Sequence, residues 1–395
     1  MAYRYIILGS GRQGRACAYD LARFGDAAAV ILADTNPAVA QRSAERLRQL
    51  LPDTRTQFEP VGVAVQDHAT LVQLLRRGAV VMSAVPFYLN PNVARAAIEA
   101  RVPMCDLGGD IEVVQAELAL DPQAKAAGVT IIPDCGLAPG MNNLLAVYAM
   151  EHLDCTDTVE VRCGGLPQVP RPPLDYRLVF NLEGMFNNYF GRAYVLRDGR
   201  VAEIDSFSEL ESIDFPPPLG RCEAFVTAGA TSTCPWSFEG KIRRYNYKTV
   251  RYPGHYAKIA LLRDLGLLAT EPVQVKGHTI VPRDVAVRVI GDRIAFPDDH
   301  DLVVLRVTCD GIKSGRRTRV RFDLLDRFDE HTGFSAMERT TGFSVAVVAI
   351  FLAQGRIKET GVVPLERSVP SAAFVAEMRR RGFAIEESTQ TLAQE

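Results

Sequence analysis

The sequence predicts an α/β protein in two parts: a doubly wound parallel sheet with helices on both faces, and a second α+β domain with a mixed, mostly antiparallel sheet. Three observations predict it. A strand-like run, a glycine turn and a helix-like run open the chain, and strand and helix patterns alternate from there to about Cys135. Beyond that point, short alternating runs separated by Gly and Pro turns take over. The length, 395 residues, suits two domains at roughly 100 to 200 residues each.

In order along the chain, residues 3–8 form an apolar β-type run, the turn Gly9-Ser10-Gly11-Arg12-Gln13-Gly14 follows, and residues 15–24 read as a helix that Gly25 ends. Residues 28–33 are a second strand and 38–51 a second helix, with Val39, Leu47, Leu50 and Leu51 at helical spacing. Residues 61–65, 80–84, 103–107 and 129–132 read as further strands, with helices at 69–76 and 92–100 between them. Proline in a first helical turn places the next helix near Pro139. Then come strands at 158–163, 178–182, 193–196, 201–204, 223–226, 285–290 and 302–309, with Asp198-Gly199 as a hairpin turn. The proline stretches at 169–173 and 215–218 read as loops. Helix returns at 340–354 and 371–381, and the polar tail from Glu386 is expected to fray.

Apolar residues are 47% and charged residues 23%, and 45 Lys plus Arg stand against 47 Asp plus Glu. A net charge of -2 gives no basic footprint for nucleic acid or an anionic membrane, so a small-molecule partner is expected. The longest apolar run, residues 345–353, is short of the ~20 residues of a membrane span. Residues 1–8 have neither the length nor the flanks of a secretory signal, and a cytoplasmic protein is expected. Eight scattered cysteines with no C-x-x-C pair read as reduced thiols, and no metal site is assigned. His300, and His331 beside Asp329 and Glu330, read as exposed acidic turns rather than metal ligands.

The chemistry-bearing motifs begin at the first turn. Gly9 permits the tight turn, Gly11 lets a pyrophosphate approach the backbone, and Gly14 lets the helix pack on the strand, with Ser10, Arg12 and Gln13 between them. Asp34 closes the second strand about 20 residues on, where a carboxylate bonds both ribose hydroxyls of NAD and repels the 2′-phosphate of NADP. NAD is therefore expected before NADP. Ser83-Ala84-Val85-Pro86 ends a strand at the edge where loops close over the nicotinamide. Asp106 and Asp134 end the next two strands at that edge, as acid–base groups or as caps of turns. Arg251, Tyr252 and His255 bring a guanidinium, a phenol and an imidazole together, either to bind a carboxylate and move a proton or as a solvated turn.

Gly9 to Gly14, Asp106-Leu107-Gly108-Gly109, Pro133-Asp134-Cys135-Gly136-Leu137-Ala138-Pro139-Gly140-Met141, Thr249 to His255 and Thr340-Thr341-Gly342-Phe343 together resemble the saccharopine dehydrogenase/reductase-like family, and within it the lysine 6-dehydrogenase branch. The resemblance covers about residues 1–367. It implies a Rossmann-type domain over 1–135 to which the chain returns at about 337–367, a substrate-binding and dimerisation domain over 136–336, and a C-terminal helix and tail over 368–395. It implies a homo-oligomer, dimer or tetramer, and oxidation of a carbon next to an amine. On this reading NAD oxidises the ε-amine of L-lysine to allysine, which closes to 1-piperideine-6-carboxylate as ammonia leaves. His255, Asp106 and Asp134, in that order, are the candidate base or amine anchor. Arg251, with Tyr252 beside it, takes the α-carboxylate, and Asn142 or Asn143 the α-amino group. A saccharopine-type secondary amine is the alternative substrate, and a non-catalytic dinucleotide-binding protein the second alternative.

Overall fold

A computed structural model describes residues 2–178, 182–296 and 298–393. The first part runs β1 (Tyr3–Leu8), α1 (Arg12–Phe24), β2 (Ala27–Asp34), α2 (Pro37–Leu50), β3 (Gln57–Gly62), α3 (His68–Leu75), β4 (Val80–Ser83), α4 (Asn90–Ala100), β5 (Met104–Asp106), α5 (Ile111–Leu118), α6 (Asp121–Ala127) and β6 (Thr130–Ile132). The second runs α7 (Met141–Met150), β7 (Cys155–Pro167), α8 (Leu182–Tyr189), β8 (Arg192–Arg197), β9 (Arg200–Asp205), β10 (Glu211–Asp214), β11 (Arg221–Phe225), α9 (Cys234–Ser237), β12 (Arg244–Arg251), α10 (His255–Asp264), β13 (Val273–Val275), β14 (His278–Ile280), α11 (Pro282–Ile294), β15 (Asp301–Lys313) and β16 (Arg316–Arg327). The chain ends through α12 (Ala336–Ala353), β17 (Gly361–Val362), α13 (Leu365–Ser368), α14 (Ser371–Arg380) and β18 (Ile385–Thr391).

The first sheet is parallel, in the order β17-β6-β5-β4-β1-β2-β3. Ile6, Ile7 and Leu8 are fully buried, as expected of strands covered by helices on both faces. Order reverses between β1 and β4, which opens a crevice at the carboxyl ends of those strands. The last strand, β17, comes from near the C-terminus, and α12 packs beside α1: a Cβ at Gly342 would lie 2.7 Å from the Ala16 methyl and 3.0 Å from the Cys17 nitrogen. α12 is long and apolar enough to cross a membrane, at mean hydropathy 1.4, and 78% of it is buried inside the protein.

The second sheet follows the order β10-β11-β12-β7-β15-β16-β18, with β8 and β9 attached through β12. Its pairs are antiparallel except β12 with β7. The Asp198-Gly199 turn between β8 and β9 has both residues at positive φ, as a two-residue hairpin requires.

Three expectations are corrected, and a fourth lies largely outside the described residues. Residues 285–290 are not a strand: their alternating valines lie in α11, which Pro282 opens and an Arg288–Asp292 pair at i,i+4 supports. The strand expected at 178–182 falls partly on residues 179–181, outside the described residues, and Leu182 opens α8. The helix near Pro139 starts at Met141, because residues 136–140 form a tight turn in which a Cβ at Gly140 would lie 2.1 Å from the Gly136 oxygen. The polar tail does not fray through Thr391, since β18 pairs antiparallel with β16. An edge strand needs a backbone partner and no apolar face of its own, so its polar side chains hid it. Helices α5 and α6 escaped notice; the Asp110 carboxylate caps α5 on the Glu112 and Val113 amides.

Candidate functional site

The crevice between β1 and β4 forms a cavity of about 380 Å³ lined by Gly9, Gly11, Asp34, Thr35, Ala84, Val85 and Pro86 among others. Gly9 has φ +89, and a Cβ on Gly14 would stand 2.0 Å from the Gly9 oxygen, so the turn closes only with glycine at both places. Gly11 caps α1 and a Cβ there would meet nothing within 4 Å, which leaves the helix N-terminus open to an anion. Asp34 sits at the lip, its Oδ2 accepting from the Ser10 amide at 3.0 Å and its Oδ1 from the Asn36 amide at 2.9 Å. The Ser10 hydroxyl is turned away to the Ala33 oxygen and that of Ser83 to Asn90. Arg12 lies half exposed near Glu338. These residues fit a dinucleotide: a glycine cradle, an open helix end and a carboxylate beside it.

Gln13 leads into a second cavity of about 260 Å³, walled by Leu107 and Gly109 after β5, Gly136 to Pro139, Gly164 of β7, Asn188 and Tyr189 of α8, Thr249 and Arg251 of β12, and Thr341 of α12. β12 alternates its side chains, so Tyr247, Thr249 and Arg251 face the cavity from one side of the strand. Arg251 is 4% exposed. Its Nε donates to the Tyr189 hydroxyl at 2.8 Å, one Nη to the Val250 oxygen, and its guanidinium lies 4.9 Å from the Tyr176 ring centre. Among the described residues no carboxylate lies within ion-pair distance of it. A buried, unpaired guanidinium facing a cavity has the charge and the donor geometry to receive a carboxylate.

His255 lies one side chain behind this wall. Its Nδ1 donates to the Leu174 oxygen at 3.0 Å, so its Nε2 accepts from the Tyr189 hydroxyl at 3.1 Å. Burial, then the Arg251 charge, push it down to about 3, so it is neutral and meets the cavity only through Tyr189. The other expected residues are also placed back from the cavity. Tyr252 turns to the opposite face of the sheet and donates to the Pro167 oxygen at 3.0 Å. Asn142 donates to the Ala230 oxygen, and the Asn143 oxygen accepts from the Tyr245 hydroxyl; both are fully buried. Asp106 and Asp134 are buried beneath the Leu107–Gly109 wall.

None of His255, Tyr252, Asn142 and Asn143 lines the cavity; Asn142 Oδ1 and Asn143 Nδ2 are buried without a hydrogen-bond partner. Lys241, Arg243 and Arg244 do not reach the cavity either. Lys241 donates to the Ser237 oxygen, Arg243 pairs with Asp157, and Arg244 lines a separate cavity with Arg197 and Glu209. Sequence reasoning missed Tyr189 and Asn188. They carry no motif, and their helix follows the segment read as a strand. Among the described residues no cluster of three or more His, Cys, Asp or Glu could hold a metal ion.

Residues 5–132 match the family model described as the saccharopine dehydrogenase NADP binding domain, and residues 136–383 the one described as the saccharopine dehydrogenase C-terminal domain. The chain is similar to the mitochondrial alpha-aminoadipic semialdehyde synthase of Mus musculus, 26% identical over 78% of this chain and 40% of that protein. It thus spans less than half the length of that relative. It is 22% identical to the carboxyaminopropylagmatine dehydrogenase of Synechocystis over 96% of both chains. Among solved structures, the apo saccharopine dehydrogenase (L-Glu forming) of Saccharomyces cerevisiae superposes with a TM-score of 0.79 at 20% identity, covering 99% of this chain and 100% of that one. With both of its halves matched, the chain belongs to the saccharopine dehydrogenase family.

Proposed function

We propose that the protein is an NAD-linked oxidoreductase acting at the carbon next to the nitrogen of an amine that carries one carboxylate near Arg251. The observation that carries this reading is the unpaired guanidinium of Arg251 in the wall of the second cavity. A bound nicotinamide supplies the hydride acceptor; this chain supplies the clamp, the orientation and a largely buried setting. Tyr189 receives the Arg251 Nε bond and is itself backed by neutral His255, which keeps the guanidinium aimed across the cavity.

L-lysine is the first substrate on this reading. Hydride leaves its ε-carbon, water replaces the nitrogen, ammonia departs, and the resulting allysine closes on its own α-amine to 1-piperideine-6-carboxylate. The amine must first be neutral, so the rate is expected to rise from neutral toward alkaline pH. Saccharopine adds a dicarboxylic arm, and without Lys241, Arg243 or Arg244 in the cavity its added carboxylates have no cationic partner there. A second reading has its own support: the full-length Synechocystis relative is named for a carboxylated agmatine derivative, so a secondary amine with one carboxylate is the alternative. NAD is preferred over NADP because Asp34 is held at the ribose end of the first cavity by two amides. The matched nucleotide-binding model is described as NADP binding and two relatives, of Pyricularia oryzae and Saccharomyces cerevisiae, are named for NADP(+), so the NAD preference rests on Asp34 alone.

The test is NADH formation from NAD with L-lysine, a singly carboxylated secondary amine and saccharopine, with ammonia assayed in parallel. Ammonia in step with NADH from lysine supports the first reading. NADH from the secondary amine alone installs the second, and turnover of saccharopine alone overturns both.

A further inference from the structure

Three carboxyl groups lie together behind the wall that Leu107 and Gly109 form. Asp106 ends β5, Glu117 is in the last turn of α5, and Asp134 follows β6; Asp106 and Glu117 are 0% exposed and Asp134 2%. Asp106 Oδ1 accepts from the Asp134 amide at 3.1 Å, and Asp134 Oδ1 accepts from the Gly109 amide at 3.2 Å. The Ser232 hydroxyl, from the second domain, also bonds the Asp134 carboxyl. The Gly108 amide also favours the Asp106 carboxylate, and among the described residues no hydrogen-bond donor reaches Asp106 Oδ2 or either oxygen of Glu117. The Asp106 and Glu117 carboxyls lie within hydrogen-bonding reach of each other.

Two ionised carboxylates are acceptors only and repel, whereas one proton between them makes a hydrogen bond. Among the described residues no cation acts on the trio. The groups facing the trio are Cys105, Cys135 and, beyond Asp134, Glu366. On α4, which packs against α5, Arg95 turns to Asn92 and Glu99 to His68. Burial raises both Asp106 and Glu117 above the ordinary carboxylate range.

We infer that the Asp106–Glu117 pair carries one shared proton that holds the Leu107–Gly109 wall in place, with Glu117 as a positioning residue for the reaction in the second cavity. The wall has little room to adjust. Gly108 has φ +61 and a Cβ there would stand 1.4 Å from Asp134 Oδ1, while a Cβ on Gly229 of the second domain would lie 2.9 Å from the Gly109 oxygen. Loss of the shared proton sets two negative charges face to face at the root of this loop. The sign follows from the raised values: the pair's support is present at low pH and is lost as pH rises through the folded-state values, on the alkaline side.

The test uses Glu117→Gln, whose amide donates to Asp106 without titrating, and Glu117→Ala, which removes the bond. Expected for Gln is kcat within about twofold of wild type at neutral pH and a weaker fall above the alkaline optimum to which amine deprotonation first raises the rate; expected for Ala is a loss of about tenfold in kcat, the size of one buried hydrogen bond. Infrared difference spectra at pH 7 should show a protonated-carboxyl band in the wild type that is absent from the Gln variant. NADH affinity against pH gives a readout that needs no substrate. The turnover arm rests on the amine reading above; a protonated-carboxyl band with no amine turned over defeats that reading and leaves the pair standing. A Gln variant as impaired as Ala, an unchanged alkaline fall in kcat or in NADH affinity, or no band lost from the spectrum would overturn the inference.

Discussion

In the nucleotide half of the site, the glycine turn after β1 and the segments that follow the neighbouring strands make the walls, with a single carboxylate at the lip. In the substrate half the walls come from α1, β7, α8, β12 and α12 and from two loops, and a buried guanidinium supplies the charge. The first half fails when an atom is added, because its shape is the absence of Cβ atoms. The second fails when an atom is removed, because its chemistry is one side chain held by others.

The largest expected effect lies in the substrate half. Arg251→Ala should raise KM for the carboxylated amine by about 100-fold, in line with the 2 to 5 kcal/mol lost when one partner of a buried charge pair is removed. Steady-state kinetics and NADH fluorescence titration check it together, since the affinity for NADH should stay near wild type. Arg251→Lys should recover only part of the loss, because an ammonium cannot reproduce the fork. Weakened NADH binding in either variant would blur the division between the halves.

Next in size is Gly14→Ala. The added carbon would stand 2.0 Å from the Gly9 oxygen, so the turn must open, and NADH binding should weaken by about tenfold or more. Thermal melting separates a lost turn from a lost fold. Unchanged NADH affinity would show that the first cavity is not the nucleotide site.

These two variants also mark how much of the site was legible in the sequence. The nucleotide half could be read because its parts are neighbours in the chain: Gly9, Gly11 and Gly14 act through local backbone shape, and Asp34 ends the adjoining strand. Arg251 was legible only as a guanidinium near other polar groups. What makes it a candidate receptor is the lack of an acidic partner among the described residues, and that depends on packing across the molecule. Tyr189 reaches it from α8, a helix whose start adjoins residues 179–181, and no local pattern announces the contact. Tyr252 and His255 share Arg251's segment, yet strand alternation sends Tyr252 to the opposite face and the start of α10 buries His255. The valines of α11 and the polar strand β18 were misread for a related reason: exposed helices and edge strands need no apolar face of the matching period.

A smaller effect is expected at Asp34. Asp34→Ala removes the acceptor of the Ser10 and Asn36 amides and the group that opposes a 2′-phosphate. The ratio of kcat/KM for NAD over NADP should fall about tenfold, the size of one charge-assisted contact. A wild type that uses NADP as well as NAD would overturn the assignment.

The smallest concerns pH and His255. With its folded value near 3, the native imidazole stays neutral where an unfolded chain takes up a proton below its ordinary 6.5. The unfolded state then binds more protons, so this residue makes stability fall as pH drops from about 6.5 toward 3. His255→Asn should flatten that part of the melting-temperature profile, provided the variant folds. The rate profile of the wild type should show no histidine step between pH 6 and 7; such a step vanishing in the variant would restore His255 as the proton carrier.

The central claim is that one unpaired guanidinium selects the substrate carboxylate. It is tested most directly by comparing lysine with its decarboxylated counterpart, a plain diamine of the same chain, in wild type and in Arg251→Ala, by kcat/KM for NADH formation. The expected result is a preference of about 100-fold for the carboxylated amine in the wild type that collapses to near unity in the variant. An equal preference in both proteins would contradict the account and place the carboxylate elsewhere.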